Sequence, residues 1–144
     1  MKLVKLELLS PIEGHSKIRV ENMKNKMIAL GLWISPICIE AEHWLILDGH
    51  HRFNVAKQLG YKYVPSELFY YKDRGLTVWS LRKEYNVNKE LVIRKALNRD
   101  IYPYKTAKHK FPYHVDKCML PLSELSKYNM FDHDKIDYNS KDKI

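Results

Sequence analysis

The chain has 144 residues, room for one domain and not for two. Hydrophobic residues make up 45% and aromatic residues 12% of it, which excludes a disordered chain, and no run of about 18 apolar residues supplies a membrane span. The 25 lysines and arginines outnumber the 17 aspartates and glutamates for a net charge of +8, and two cysteines, Cys38 and Cys118, argue against a disulfide-stapled secreted domain and for a reduced, cytoplasmic protein. The first ten residues alternate basic and apolar side chains and lack the apolar run of a signal peptide.

That alternation predicts a first strand over 2–9. Pro11 and Gly14 break it into a loop at 10–17. Val20, Met23, Met27 and Leu30 then fall on one helical face, stopped by Gly31. Apolar runs at 37–39 and 44–47, joined by polar residues 40–43, predict a hairpin. Asp48-Gly49 turns the chain into a short helix with Phe53, Val55, Ala56 and Leu59 apolar and Gly60 as its cap. Residues 64–71 and 76–81 are further strand candidates, the first weakened by Pro65. Asn88 caps a helix running to about 98 with Leu91, Val92 and Ala96 inward. Residues 101–112 read as a loop with two prolines, 118–120 as a last strand, and 122–128 as a short helix. Strands and helices mix without strict alternation, so the class is α+β. The domain is expected over 1–126, followed by a polar tail at 127–144 whose four lysines balance four aspartates.

Three segments carry chemistry. In Leu45-Ile46-Leu47-Asp48-Gly49-His50-His51-Arg52 an apolar strand delivers four polar residues to a glycine turn and a helix start. A glycine admits an anion close to the backbone, the first N–H groups of a helix point at it, and imidazole and guanidinium groups add donors. Asp48 carries the opposite charge, useful beside a metal ion or a hydroxyl to be deprotonated. A zinc site is a weak rival, since adjacent histidines diverge and no cysteine pair accompanies them. Pro11-Ile12-Glu13-Gly14-His15 puts a carboxylate and an imidazole on the loop after the first strand. Tyr102-Pro103-Tyr104-Lys105-Thr106-Ala107-Lys108-His109 gathers basic and hydroxyl groups after a stiffened turn, within a 94–110 stretch of net charge +5.

In this order the three segments resemble one family. Asp48-Gly49-His50-His51-Arg52 is similar to the nucleotide-binding motif of the ParB/sulfiredoxin-like fold in the form found in free L-serine kinases. Pro11 to His15 resembles that family's loop with its catalytic glutamate, and Tyr102 to His109 resembles its late Lys-Thr…His segment. The likeness covers roughly 3–125. Tyr104 stands in place of a proline, Lys108 where arginine is common, and Ala107 in place of a hydroxyl residue, which removes one phosphate contact.

The resemblance implies a small mixed sheet with flanking helices and transfer of a phosphoryl group from ADP or ATP to the hydroxyl of free L-serine or a similar small hydroxy amino acid. On that reading Glu13 is the general base, and Asp48 sits at Mg²⁺ or beside the acceptor. Gly49, His50, His51, Arg52, Lys105 and Thr106 hold nucleotide phosphates, and His15, Lys108 and His109 hold the substrate. One alternative is a ParB-like nucleotide-dependent DNA-binding or nuclease protein, favoured by the basic balance. It is weakened because fewer than a hundred residues follow Arg52, and no helix-turn-helix unit is expected beyond Tyr128. A non-catalytic nucleotide-binding regulator is another. A sulfiredoxin-like reductase needs a cysteine where His50 stands.

Overall fold

The structure, a computed structural model, describes residues 1–130. Strand β1 (Lys2–Lys5) is shorter than the alternation predicts: the chain continues as a 3-10 turn (Leu6–Leu8). The partner strand begins at Tyr63, and Leu6 N–H makes the last cross-strand bond, to Lys62 O at 2.8 Å. Helix α1 (Lys17–Leu30) starts where Ser16 Oγ accepts Arg19 N–H and stops at Gly31 with φ 68°. It buries Val20 and Met27, whereas Leu30, expected inward, is exposed. Strand β2 (Leu32–Trp33) leads into the expected hairpin of β3 (Ile37–Glu40) and β4 (Leu45–Asp48), paired antiparallel.

Glu40, expected in the turn, closes β3 as a buried carboxylate. It accepts the backbone N–H groups of Glu42 and His43, so the turn satisfies its charge. Helix α2 (His50–Leu59) follows, then β5 (Tyr63–Phe69), β6 (Thr77–Ser80) and α3 (Lys89–Leu97), which Asn88 caps through Leu91 N–H at 2.8 Å.

The main sheet has the order β1-β5-β3-β4, with β5 parallel to β3 and the other pairs antiparallel. Pro65 therefore lies in an interior strand. It is tolerated because it faces Leu3 in the alternate, non-bonded position of the β1 ladder, and pairing with β3 begins one residue later at Ser66. Both faces of the sheet are covered. On one side Ile37, Ile39, Ile46 and Val64 pack with Val20 and Met27 of α1 and Phe53 and Val55 of α2. On the other, Cys38, Leu45, Leu47 and Phe69 pack with Ile12, Leu76, Val92 and Tyr102.

Segment 101–112, expected as a loop, contains β7 (Ala107–Lys110), antiparallel to β6. Its inner residue is His109, so the sequence shows no apolar alternation there although the backbone alternates in and out. Strand β8 (Leu120–Pro121) pairs with β2, displaced by two residues from the expected 118–120. Helix α4 (Leu122–Met130) crosses the expected domain end at 126, with Leu125 fully buried; the remainder of the expected tail, 131–144, lies outside the described residues. No helix among the described residues is long and apolar enough to cross a membrane.

Candidate functional site

The loop between β1 and α1 is pinned from both sides. Ile12 and Tyr102 exchange backbone contacts, with Tyr102 N–H donating to Ile12 O at 3.0 Å and Gly14 N–H to Tyr102 O at 2.9 Å. From the opposite side the two histidines of the Asp48–Arg52 motif clamp it: His50 Nε2 accepts Ile12 N–H at 3.1 Å and His51 Nε2 accepts Ser16 N–H at 3.2 Å. Both imidazoles therefore use Nε2 as a lone-pair acceptor and carry their proton on Nδ1. Burial, reinforced by neighbouring imidazoles and Arg52, pushes His50 down to about 3, and burial with Arg19 nearby also lowers His51. His50 thus braces the Glu13 loop through Nε2 as a neutral imidazole, and the proton on Nδ1 is the donor left to it.

Between these anchors Glu13 points at the third segment. Its Oε2 accepts Thr106 N–H at 3.0 Å and Ala107 N–H at 2.9 Å. Burial raises the Glu13 pKa; the amides of Ala107, Thr106 and Lys105 oppose the rise, and the charge of Asp48 adds to it. The bend that presents these amides has Lys105 at φ 64°, Thr106 Oγ1 bonded to Pro103 O, and Arg82 bonded to Tyr104 O. Thr106 is fully buried with its hydroxyl donated to Pro103 O, and its backbone N–H meets Glu13.

A cavity of about 330 Å³ opens between the three segments. Of the eleven residues singled out in the sequence, nine line it: Glu13, Asp48, Gly49, His50, His51, Arg52, Lys105, Lys108 and His109. Thr106 stands behind it, and His15 faces a neighbouring cavity with Lys17 and Lys57, its ring 6.5 Å from that of His51. Glu13 and the motif histidines thus meet at one site. His109 is buried, with Nε2 2.7 Å from Tyr71 Oη; burial and Lys108 push it down to about 3. Its Nδ1 lies beside the Leu47 carbonyl without a well-formed bond. Arg19 and Tyr104 also line the cavity, the latter edge-on to His51 at 5.4 Å. No motif in the sequence flagged Arg19, which follows from the placement of α1's first turn; Tyr104 lay in the third segment without an expected role, and the bend that cradles Glu13 brings it to the cavity.

Helix α2 opens into this cavity at Gly49, whose φ of 106° only glycine adopts readily. Unlike α1 and α3, α2 has no side-chain cap among the described residues, which leaves first-turn N–H groups for an anion. A Cβ on Gly49 would sit 3.0 Å from Arg52 Nη2 and 3.3 Å from Ile37 Cγ1. Gly49→Ala is expected to lower stability by about 1–3 kcal/mol and to weaken anion binding by displacing Arg52, measured by denaturant unfolding and by titration with nucleotide.

Asp48 is 64% exposed at the rim, and no cluster of three metal-ligating side chains occurs among the described residues. A single carboxylate fits a magnesium ion that takes its other ligands from nucleotide phosphates and water, and does not fit a structural metal site.

No family model matches the chain. An ATP-dependent L-serine kinase of Staphylothermus marinus is 31% identical over 78 residues, 51% of this chain. The match spans 31% of that kinase's length. A free serine kinase solved with AMP superposes with a TM-score of 0.78 at 16% identity, covering 86% of this chain and 92% of the other. SbnI of Staphylococcus aureus, solved with a C-terminal truncation, gives 0.76 at 12% identity over 97% and 94% of the two chains. The free serine kinase was also solved with ADP and with one glutamate replaced by alanine or glutamine. The chain has the fold of these proteins, in agreement with the α+β reading and with a small mixed sheet flanked by helices.

Proposed function

We propose that this chain, built on the fold of the free serine kinases, transfers a phosphoryl group from ADP or ATP to the hydroxyl of free L-serine or a close relative. The observation that carries the reading is the Glu13 carboxylate, fixed on the Thr106 and Ala107 amides and opening into the cavity that the uncapped start of α2 also enters. Phosphoryl transfer is mostly positioning and charge neutralisation, and these are the two things the cavity offers.

Glu13 takes the proton from the acceptor hydroxyl as the oxygen bonds to the terminal phosphorus. The bond from that phosphorus to the bridging oxygen breaks, and its electron pair leaves with the shortened nucleotide. The first-turn amides of α2, with Arg19, Lys105 and His51 lining the same cavity, are the groups that would hold that charge. Asp48 is the residue placed to hold Mg²⁺, which supplies neutralisation of phosphate charge when bound. A cytoplasmic location goes with this reading, since both nucleotide and free serine are available there.

Incubation with Mg²⁺, L-serine and either ADP or ATP is expected to yield O-phospho-L-serine together with AMP or ADP respectively, followed by phosphorus NMR. Failure to form phosphoserine with every common nucleotide, while nucleotide still binds, overturns the kinase reading and favours a nucleotide-binding regulator.

A further inference from the structure

The amides of three successive residues, Lys105, Thr106 and Ala107, favour the ionised Glu13 carboxylate, and the left-handed Lys105 (φ 64°) is what swings consecutive N–H groups to one side. A lysine in that backbone region is strained and persists only where its surroundings fix it. The bend stands outside the regular ladder: β7 begins only at Ala107, and Leu81 N–H donates to Thr106 O at 2.7 Å. Ahead of that bond two side chains tie the bend. Thr106 Oγ1 donates to Pro103 O from within it, and from outside Arg82 Nη2 donates to Tyr104 O at 2.6 Å, a charge-assisted bond. The backbone of Arg82 is in turn seated on Ser80, whose Oγ accepts Arg82 N–H at 3.0 Å and donates to Arg82 O at 2.6 Å. Arg82 does not itself line the cavity.

Resting on the kinase reading, we infer that Arg82 is a positioning residue for the general base: by anchoring Tyr104 O it keeps the amides of Thr106 and Ala107 on Glu13, and so fixes where the carboxylate meets the acceptor hydroxyl. Without the anchor the Tyr104 carbonyl turns to water, the strained Lys105 relaxes, and the two amides leave the carboxylate. A base misplaced by about 1 Å loses roughly 10–100-fold in rate. Methionine fills the space of the arginine stem and offers no donor. Lysine offers one donor on a flexible stem and lacks the planar fork, so it replaces the anchor only in part.

The test places Arg82→Met and Arg82→Lys in the wild-type chain and in Glu13→Gln. R82M is expected to lower kcat for phosphoserine formation about 10–100-fold, to leave the nucleotide KM within about twofold, and to change the residual rate of E13Q by no more than about twofold; R82K is expected to recover part of the loss. A loss of equal size in both backgrounds overturns the assignment, because a general structural role produces it, and so does wild-type turnover in R82M. A parallel rise in nucleotide KM overturns it by placing Arg82 on the phosphates. Amide proton spectra read the anchor apart from turnover. The Thr106 and Ala107 signals are expected to move and to exchange faster with solvent in R82M, and signals that stay in place overturn the anchor. Should R82M not fold, R82K carries the same comparison: a partial loss confined to the wild-type background supports the assignment, and a wild-type rate overturns it. A wild-type chain that forms no phosphoserine, yet whose Thr106 and Ala107 amides depend on Arg82, supports the anchor and overturns the kinase reading alone.

Discussion

Glu13→Gln is expected to lower kcat by about 10²–10⁴-fold while leaving the nucleotide KM nearly unchanged. The substitution is close to isosteric, and the amide oxygen of glutamine can still accept the Thr106 and Ala107 N–H groups, so the loop stays in place. What disappears is the lone pair able to take a proton. Glu13→Asp tests the complementary point: the shorter side chain cannot keep both amides and reach the same position, and most of the activity is lost although the carboxylate remains. The pH profile gives a second readout. Burial holds the Glu13 carboxyl above the ordinary glutamate range, and as the proposed general base it acts in its ionised form. Activity therefore falls on the acid side of an apparent pKa higher than that of a free glutamate, and E13Q has no such limb in its residual rate. Full turnover in E13Q removes Glu13 from the chemistry.

A large loss of stability is expected between pH 6.5 and pH 3, carried by His50 and His109. Each is neutral in the folded chain, with its pKa pushed from 6.5 down to about 3, so in this window the unfolded chain binds more protons than the folded one. Stability present above pH 6.5 is then lost as the pH falls, at about 1.4 kcal/mol per pH unit for each histidine. At pH 4.5 the two together cost on the order of 5 kcal/mol, a large share of the stability of a domain this size. Glu13 works in the opposite direction, because its raised pKa makes the protonated folded form the easier one to bury. Denaturant unfolding at pH 7, 5.5 and 4.5 measures the slope. His50→Gln keeps an acceptor for Ile12 N–H and does not titrate, so its stability should decline about half as steeply as that of wild type. An equal decline in H50Q places the acid sensitivity elsewhere.

The elements written in local chemistry were legible. Gly31, Gly60 and Asn88 end or begin helices where their backbone freedom and side-chain reach demand it, and the 37–47 hairpin follows from two apolar runs and a polar join. What was not legible depends on partners distant in the chain. Strand β7 hides because its buried residue is His109, acceptable inside only because Tyr71 lies opposite. The end of β1 is set by where β5 begins, and nothing in the 2–9 alternation records that. In the site, the Asp48–Arg52 segment and Glu13 were visible as residue types, but their division of labour was not. Both histidines turned out to hold the Glu13 loop through Nε2, which no spacing rule reveals. Arg19 joined the cavity through tertiary placement alone.

Ala107 changes meaning in this light. As a sequence letter it is a lost hydroxyl; in the fold its contribution is an N–H pointed at Glu13, which its own side chain does not affect. Another side chain that fits beside the core and the cavity there keeps this N–H in place, whereas proline, which has no N–H to give, removes it. On the proposed reading, loss of the hydroxyl at 107 is therefore compatible with retained chemistry, whereas loss of the carboxylate at 13 is not.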